Sequence, residues 1–167
     1  GLAREVAWLV ARINKNKKEW DLKGFVENDT ESQMNSLSNT PPGVFGETEW
    51  LAQLDKETWV ICAVGSPSIR KKIVKKLKKN SNIKFATLVD PSVILSHSVE
   101  IGEGCIICAG SIATVNIHIG NNVIINLDCT IGHDTKIGDY VTVYPSANIS
   151  GLVTIEEAAE IGTGTQI

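Results

Sequence analysis

Within the stretch IGHDTKIGDY, residues 131–140, an imidazole and a carboxylate stand side by side as His133 and Asp134. Imidazole takes up and releases a proton near neutral pH, so His133 is a candidate general base. Eighteen residues further on, Gly151 presents a backbone N–H with no side chain in front of it. Such a donor can stabilise a developing oxyanion. Whether the two can cooperate depends on the repeat that carries them.

That repeat has a period of six. Val89, Leu95, Ile101, Ile107, Ala113, Ile119, Ile125, Ile131, Ile137, Val143, Ile149, Ile155, Ile161 and Ile167 are evenly spaced, with no insertion. Two positions before most of them sits a smaller or β-branched residue, as at Cys105, Ser111, Val123, Cys129, Thr135, Val141 and Ala147. A hexad period fits neither a helix nor a hairpin meander, and predicts a parallel β-helix of short strands and corners. Three residues beyond the aliphatic position come Gly104, Gly110, Asn116, Asn122, Asp128, Asp134 and Gly164. Gly, Asn and Asp tolerate positive φ, so this column marks the corners.

With three hexads per coil, residues 18 apart stack about 4.8 Å from one another. His133 then lies on a corner, pointing away from the core, with Val115 below it and Gly151 above. The same positions serve a plain surface histidine equally well. His97, 36 residues earlier, occupies the same corner, and His118 should face solvent beside Ile119. Asp134 shares its column with Asp128 and could be a corner residue alone.

Residues 1–88 follow another grammar. Leu2, Val6, Leu9, Val10 and Ile13 share one helical face. Leu22–Val26 predicts a strand entering a polar loop at Glu27–Thr30, and a mobile Ser/Asn/Thr-rich segment up to Thr40 follows. A short helix is expected around Glu47–Leu54, and Trp59–Val64 reads as a strand buried on both faces. After Gly65-Ser66-Pro67 comes a helix to about Lys79, with Ile69, Ile73 and Leu77 inward and the basic run Arg70–Lys79 otherwise a solvated face. Trp8, Trp20, Trp50 and Trp59 are expected in core or domain packing. Strand, Gly-containing turn and helix in succession argue for a small parallel α/β sheet. The expected division is 1–88 for this α/β domain and 89–167 for the β-helix. Both ends look cut: a helix opening at Gly1 should follow a strand and a turn, and Ile167 stops within a repeat.

A formal net charge of -3 gives no basic excess for nucleic acid, and no apolar run reaches the ~18 residues of a membrane span. The cytoplasm is the expected compartment. Cys105-x-x-Cys108 lacks a second pair at zinc-ribbon spacing, and its register sends Cys105 into the prism, so no metal is expected. Cys129 reads as core filler.

The run IINLDCTIGHDTKIGDYVTVYPSANISGLVTI, residues 124–155, closely resembles the hexapeptide-repeat sugar acetyltransferases. The nearest branch holds the sialic acid O-acetyltransferases and the UDP-4-amino-sugar N-acetyltransferases. GLAREVAWLV is similar to that branch's first helix, and AVGSPSIRKKI to its second nucleotide-loop segment. The resemblance implies a Rossmann-like N-terminal domain and a left-handed β-helix that trimerises, with sites between neighbouring prisms. It implies acetyl transfer from acetyl-CoA to a sugar hydroxyl or amine, with no covalent enzyme intermediate. His133 would be the base, Asp134 would orient it, and the Gly151 N–H would bind the thioester carbonyl. Asn126, Asp29, Gly65 and Ser66 would face the sugar or its nucleotide. Thr142 stands where several of the amino-sugar enzymes carry a second histidine, a departure that speaks against an amine acceptor. The rival reading is a non-catalytic or metal-dependent hexapeptide protein.

Overall fold

The computed structural model describes residues 1–15, 17–27 and 43–167. The polar loop with Asp29, and the segment up to Thr40, lie outside the described residues.

Helix α1 (Leu2–Ile13) buries Val6, Leu9 and Val10. Strand β1 (Phe25–Val26) pairs in parallel with β2 (Val44–Gly46). Helix α2 (Thr48–Ala52) follows, and β3 (Thr58–Val60) pairs in parallel with β4 (Ile83–Phe85) across helix α3 (Pro67–Leu77). The buried strand expected over 59–64 is therefore shorter and one-sided. Alternation along β3 turns Trp59 outward, where it is 54% exposed. Trp8 and Trp50 are also exposed, contrary to the expectation of packing, and Trp20 meets Trp59 edge to face at 5.9 Å. Trp8 lies off the buried stripe of α1, against the Arg12 guanidinium.

The inward face of α3 also differs from expectation. Pro67, Arg70, Val74 and Leu77 are buried, whereas Ile69 is 51% exposed. Both stripes have helical spacing, and the one that wins brings a guanidinium into a set of carbonyl acceptors. Arg70 thus belongs to no solvated face.

From Leu88 onward thirteen two-residue strands wind into three parallel sheets with the predicted 18-residue register. The first sheet stacks β5 (Leu88–Val89), β8 (Ile106–Ile107), β11 (Ile124–Ile125), β14 (Thr142–Val143) and β17 (Glu160–Ile161). The second holds β6 (Ile94–Leu95), β9 (Ile112–Ala113), β12 (Thr130–Ile131) and β15 (Asn148–Ile149). The third holds β7 (Glu100–Ile101), β10 (His118–Ile119), β13 (Lys136–Ile137) and β16 (Thr154–Ile155). The second residue of each pair fills the prism, joined by Cys105, Val123, Cys129, Val141 and Ala147, which are wholly buried. Every corner predicted at positive φ has it, from Asn116 at 57° to Asp134 at 59°. Tyr140, Ser146, Leu152 and Ala158 adopt it as well, so the coil imposes the left-handed turn on residues that seldom choose it.

The outward residues of the first sheet carry the α/β half. Leu88, Ile106 and Ile124 are buried against Val6, Leu9 and Val10 of α1. Burying one such isoleucine is worth about 1.5–3 kcal/mol. At the rim of this contact Arg12 donates to both oxygens of Asp90, which is 1% exposed and also accepts from the Ser92 N–H and hydroxyl. The Arg12 hydrogen bond holds Asp90 down at about 2. A carboxyl depressed in the folded state stabilises it above the unfolded value, and that contribution is lost as pH falls from about 4 through about 2. Urea titrations of wild type and Asp90→Asn should therefore differ by about 2 kcal/mol at pH 7 and converge near pH 2.

Helix α3 lies along a second line of contact, the corner between the third and first sheets. Lys78 pairs with Glu103 on an early coil at 2.5 Å, and Lys71 pairs with Glu157 three coils later at 2.6 Å. Seven helical residues advance about 10 Å, close to the roughly 14 Å of three rungs once the side chains splay.

Candidate active site

His133 and Asp134 leave β12 at the corner leading to β13. His133 Nδ1 lies 2.8 Å from Asp134 Oδ2; in the tautomer that donates Nδ1–H to this carboxylate, Nε2 is the accepting nitrogen. The other carboxylate oxygen accepts from the Asn116 side-chain amide at 2.5 Å. Asn116 and, after it, His133 hold the Asp134 carboxyl below the usual carboxylate range. The local fold makes this pairing possible, because a residue at φ 59° turns its carboxylate back beside the preceding side chain.

Gly151 occupies the same corner one coil later. A methyl built on its Cα would meet His133 Nε2 at 2.5 Å and Cε1 at 2.6 Å, so the ring lies across the bare backbone. Among the described residues the Gly151 N–H has no hydrogen-bond partner, whereas the next N–H, of Leu152, donates to the His133 carbonyl at 2.8 Å. A basic nitrogen and a free backbone donor thus share one solvent-facing edge. The imidazole is 57% exposed, with Val115 beneath it and Leu152 beyond the glycine, both exposed.

The remaining candidates stand elsewhere. Asn126 follows β11, one corner earlier, and its Oδ1 accepts from the Leu127 N–H at 3.3 Å. Gly65 and Ser66 form the turn into α3, above β14. The Gly65 carbonyl accepts from Arg70 and Thr142, while a methyl at Gly65 would find nothing within 4 Å. Ser66 caps α3 without a side-chain bond to its backbone N–H groups, its hydroxyl meeting Ser68 Oγ at 3.3 Å instead; with Pro67 at N1, the Ser68 and Ile69 N–H groups are the first-turn donors left for an anion. The third sheet separates this turn from His133 within one chain. Asp29 lies outside the described residues.

Thr142 does not face solvent as an acceptor-side residue would. It is 1% exposed and donates to the Gly65 carbonyl at 2.7 Å. Its side chain therefore lies in the contact between the two halves of the chain. Cys105 and Cys108 point to opposite sides of one rung, into the prism and toward α1 respectively. Burial pushes their thiols up to about 11 and about 12, far from a thiolate nucleophile. His118 pairs with Glu100 at 3.2 Å on the outer face of the third sheet.

One participant escaped the sequence reading. The sequence marks Asn116 as a corner residue only, yet it lies 18 residues before Asp134 and directly under it. Extending the stacking arithmetic from His133 to its neighbour would have found it.

The chain thus combines a parallel β-solenoid with a small α/β unit docked to it, and carries a histidine–carboxylate pair on one prism edge. Residues 1–77 match the PglD N-terminal domain family. The chain is 32% identical over 105 residues to the GDP-perosamine N-acetyltransferase of Escherichia coli O157:H7, covering 63% of this chain and 47% of that protein. WeeI from Acinetobacter baumannii AYE superposes with a TM-score of 0.80 at 27% identity, covering 98% of this chain and 74% of its own. The acetyltransferase domain of PglB from Neisseria gonorrhoeae, solved with acetyl coenzyme A, shares the fold at TM-score 0.62 and 21% identity, covering 99% and 90% of the two chains. The chain is thus similar to the proteins that its sequence resembles, and its fold is an α/β unit followed by a left-handed parallel β-helix. The chain spans about half the length of the curated relative it matches.

Proposed function

We propose that this chain is the core of an acetyl-CoA-dependent sugar acetyltransferase, and that its acceptor is a nucleotide-linked amino sugar. The observation that carries this reading is the His133 Nε2 lying against Gly151, with Asp134 fixing the other ring nitrogen. In the proposed step the acceptor nitrogen attacks the thioester carbonyl carbon while His133 Nε2 takes its proton. The Gly151 N–H donates to the carbonyl oxygen as charge develops. The C–S bond breaks, the acetyl group passes to the nitrogen, and CoA leaves as a thiolate that is then protonated. No group on the enzyme is acylated, in keeping with the deeply buried, high-pKa thiols.

Residues 1–88 would hold the nucleotide sugar and residues 89–167 the acetyl donor. Gly65 and Ser66 would receive the diphosphate at the open N-terminus of α3, with Asp29 and Asn126 toward the sugar. Because the third sheet separates that turn from His133, a homotrimer would complete the site, one chain's His133 edge meeting a neighbour's Gly65 turn. Exposed Val115 and Leu152 on the His133 corner supply apolar surface for such a contact. Acetyl-CoA and sugar nucleotides are cytoplasmic metabolites, and no helix among the described residues is long and apolar enough to cross a membrane. An amine acceptor is favoured because the matched E. coli protein is a perosamine N-acetyltransferase.

The test is thiol release from acetyl-CoA by the full-length chain. GDP-perosamine and UDP-4-amino sugars should give release, and sialic acid none. Release with sialic acid alone would move the acceptor to the hydroxyl class, and no release with any sugar would return the chain to the non-catalytic class.

A further inference from the structure

Arg70 is among the largest fully buried side chains and is 1% exposed, yet no carboxylate bonds it. Its donors are shared between the two halves of the chain. Toward the α/β half, Nη1 donates to the carbonyls of Val64 at 2.6 Å and Gly65 at 2.8 Å. Toward the solenoid, Nε donates to Asn122 O at 2.9 Å, and Nη2 to Tyr140 O at 2.5 Å, Val141 O at 3.1 Å and Thr142 Oγ1 at 2.9 Å. The Thr142 hydroxyl closes the loop by donating to the Gly65 carbonyl at 2.7 Å. An unpaired cation is costly to bury, and an aliphatic side chain of similar size would hold the two halves together by packing alone. What a guanidinium adds is direction: its planar fork fixes where the Gly65 carbonyl stands, and with it the turn that opens α3.

We infer that Arg70 and Thr142 are positioning residues, which set the height of the Gly65–Ser66 turn on the solenoid and so the place where the sugar nucleotide's diphosphate sits. This rests on the nucleotide-sugar reading above. Position 142 would then govern the placement of the nucleotide sugar and leave the choice between hydroxyl and amine untouched. The buried charge acts in the same sense, since a guanidinium with no carboxylate partner lies behind the N-terminal end of α3 and favours an anion there.

Thr142→Val keeps the shape and removes both hydroxyl bonds. We expect the KM for GDP-perosamine to rise roughly tenfold, the scale of one lost hydrogen bond, with kcat changed less than about threefold and the KM for acetyl-CoA unmoved. The amides of Val64, Gly65, Ser66 and Ser68 should exchange faster with deuterium, and Thr142→Ser should restore both readouts. If valine does not fold at this site, Thr142→Cys, which retains only a weak S–H donor, takes its place with the same expectations. A lowered Tm with unchanged KM and unchanged exchange would make the cluster merely structural and overturn the inference. Calorimetry on the wild type separates the two readings. Binding of GDP-perosamine by wild type and by the variant alike sinks the positioning role alone, whereas no binding by wild type sinks the nucleotide-sugar assignment and this role with it.

Discussion

In His133→Ala, acetyl transfer should fall by roughly 10² to 10⁴ in kcat, the span usual for loss of a positioned general base. The fold should be unaffected, because the imidazole is more than half exposed and belongs to none of the buried clusters. Single-turnover thiol release with acetyl-CoA and GDP-perosamine measures the loss, and the KM values should move little, since the step removed is made in the transition state. A variant that keeps more than half of the wild-type kcat would remove His133 from the mechanism. His97→Ala is the internal control: it holds the same corner two coils earlier, no glycine 18 residues on lies across its ring, and its loss should leave kcat unchanged.

Gly151→Ala should be nearly as damaging, for a different reason. Its φ lies outside the left-handed range, so alanine is conformationally acceptable there. The added methyl would nonetheless stand 2.5 Å from His133 Nε2, 2.6 Å from Cε1 and 2.8 Å from Cδ2, and the ring has to leave. Being exposed, it swings outward at little cost to stability, so Tm should change by no more than a few degrees. Displacing a base by about an ångström costs on the order of 10² in rate. Because the methyl acts through the histidine, the two substitutions should not add: His133→Ala/Gly151→Ala should be no slower than His133→Ala alone within about threefold. A double variant slower by the product of the two single effects would show that Gly151 acts independently of the ring.

The prism was readable from sequence because a hexad repeat leaves one consistent solution. The inward column, the small partners and the Asn/Asp corners each report the same register, and Tyr140, Ser146, Leu152 and Ala158 then follow the coil against their own preferences. Stacking at 18 residues also placed His133 beside Gly151. The α/β half was less legible because its decisive contacts are non-local. Nothing in the residues near Arg70 announces acceptors at Asn122, Tyr140 and Val141, between 52 and 71 positions away, so hydrophobicity alone chose Ile69 over it for the buried stripe. The exposed tryptophans have the same origin: amino-acid type suggested the interior, whereas alternation on β3 and the stripe of α1 decided otherwise. One signal was present and unread. The outward column Leu88, Ile106, Ile124 is apolar, while its counterpart Glu100, His118, Lys136 is charged or polar, and that asymmetry marks the face that docks α1.

The staples that α3 makes on Glu103 and Glu157 bear on how such a chain can change length during descent. A rigid rod pinned at two points of a periodic ladder tolerates no added rung between the pins, since each would carry the far anchor some 5 Å out of reach. Duplication of whole coils is therefore disfavoured between residues 103 and 157, and variation in ladder length among descendants of this architecture should accumulate outside that stretch.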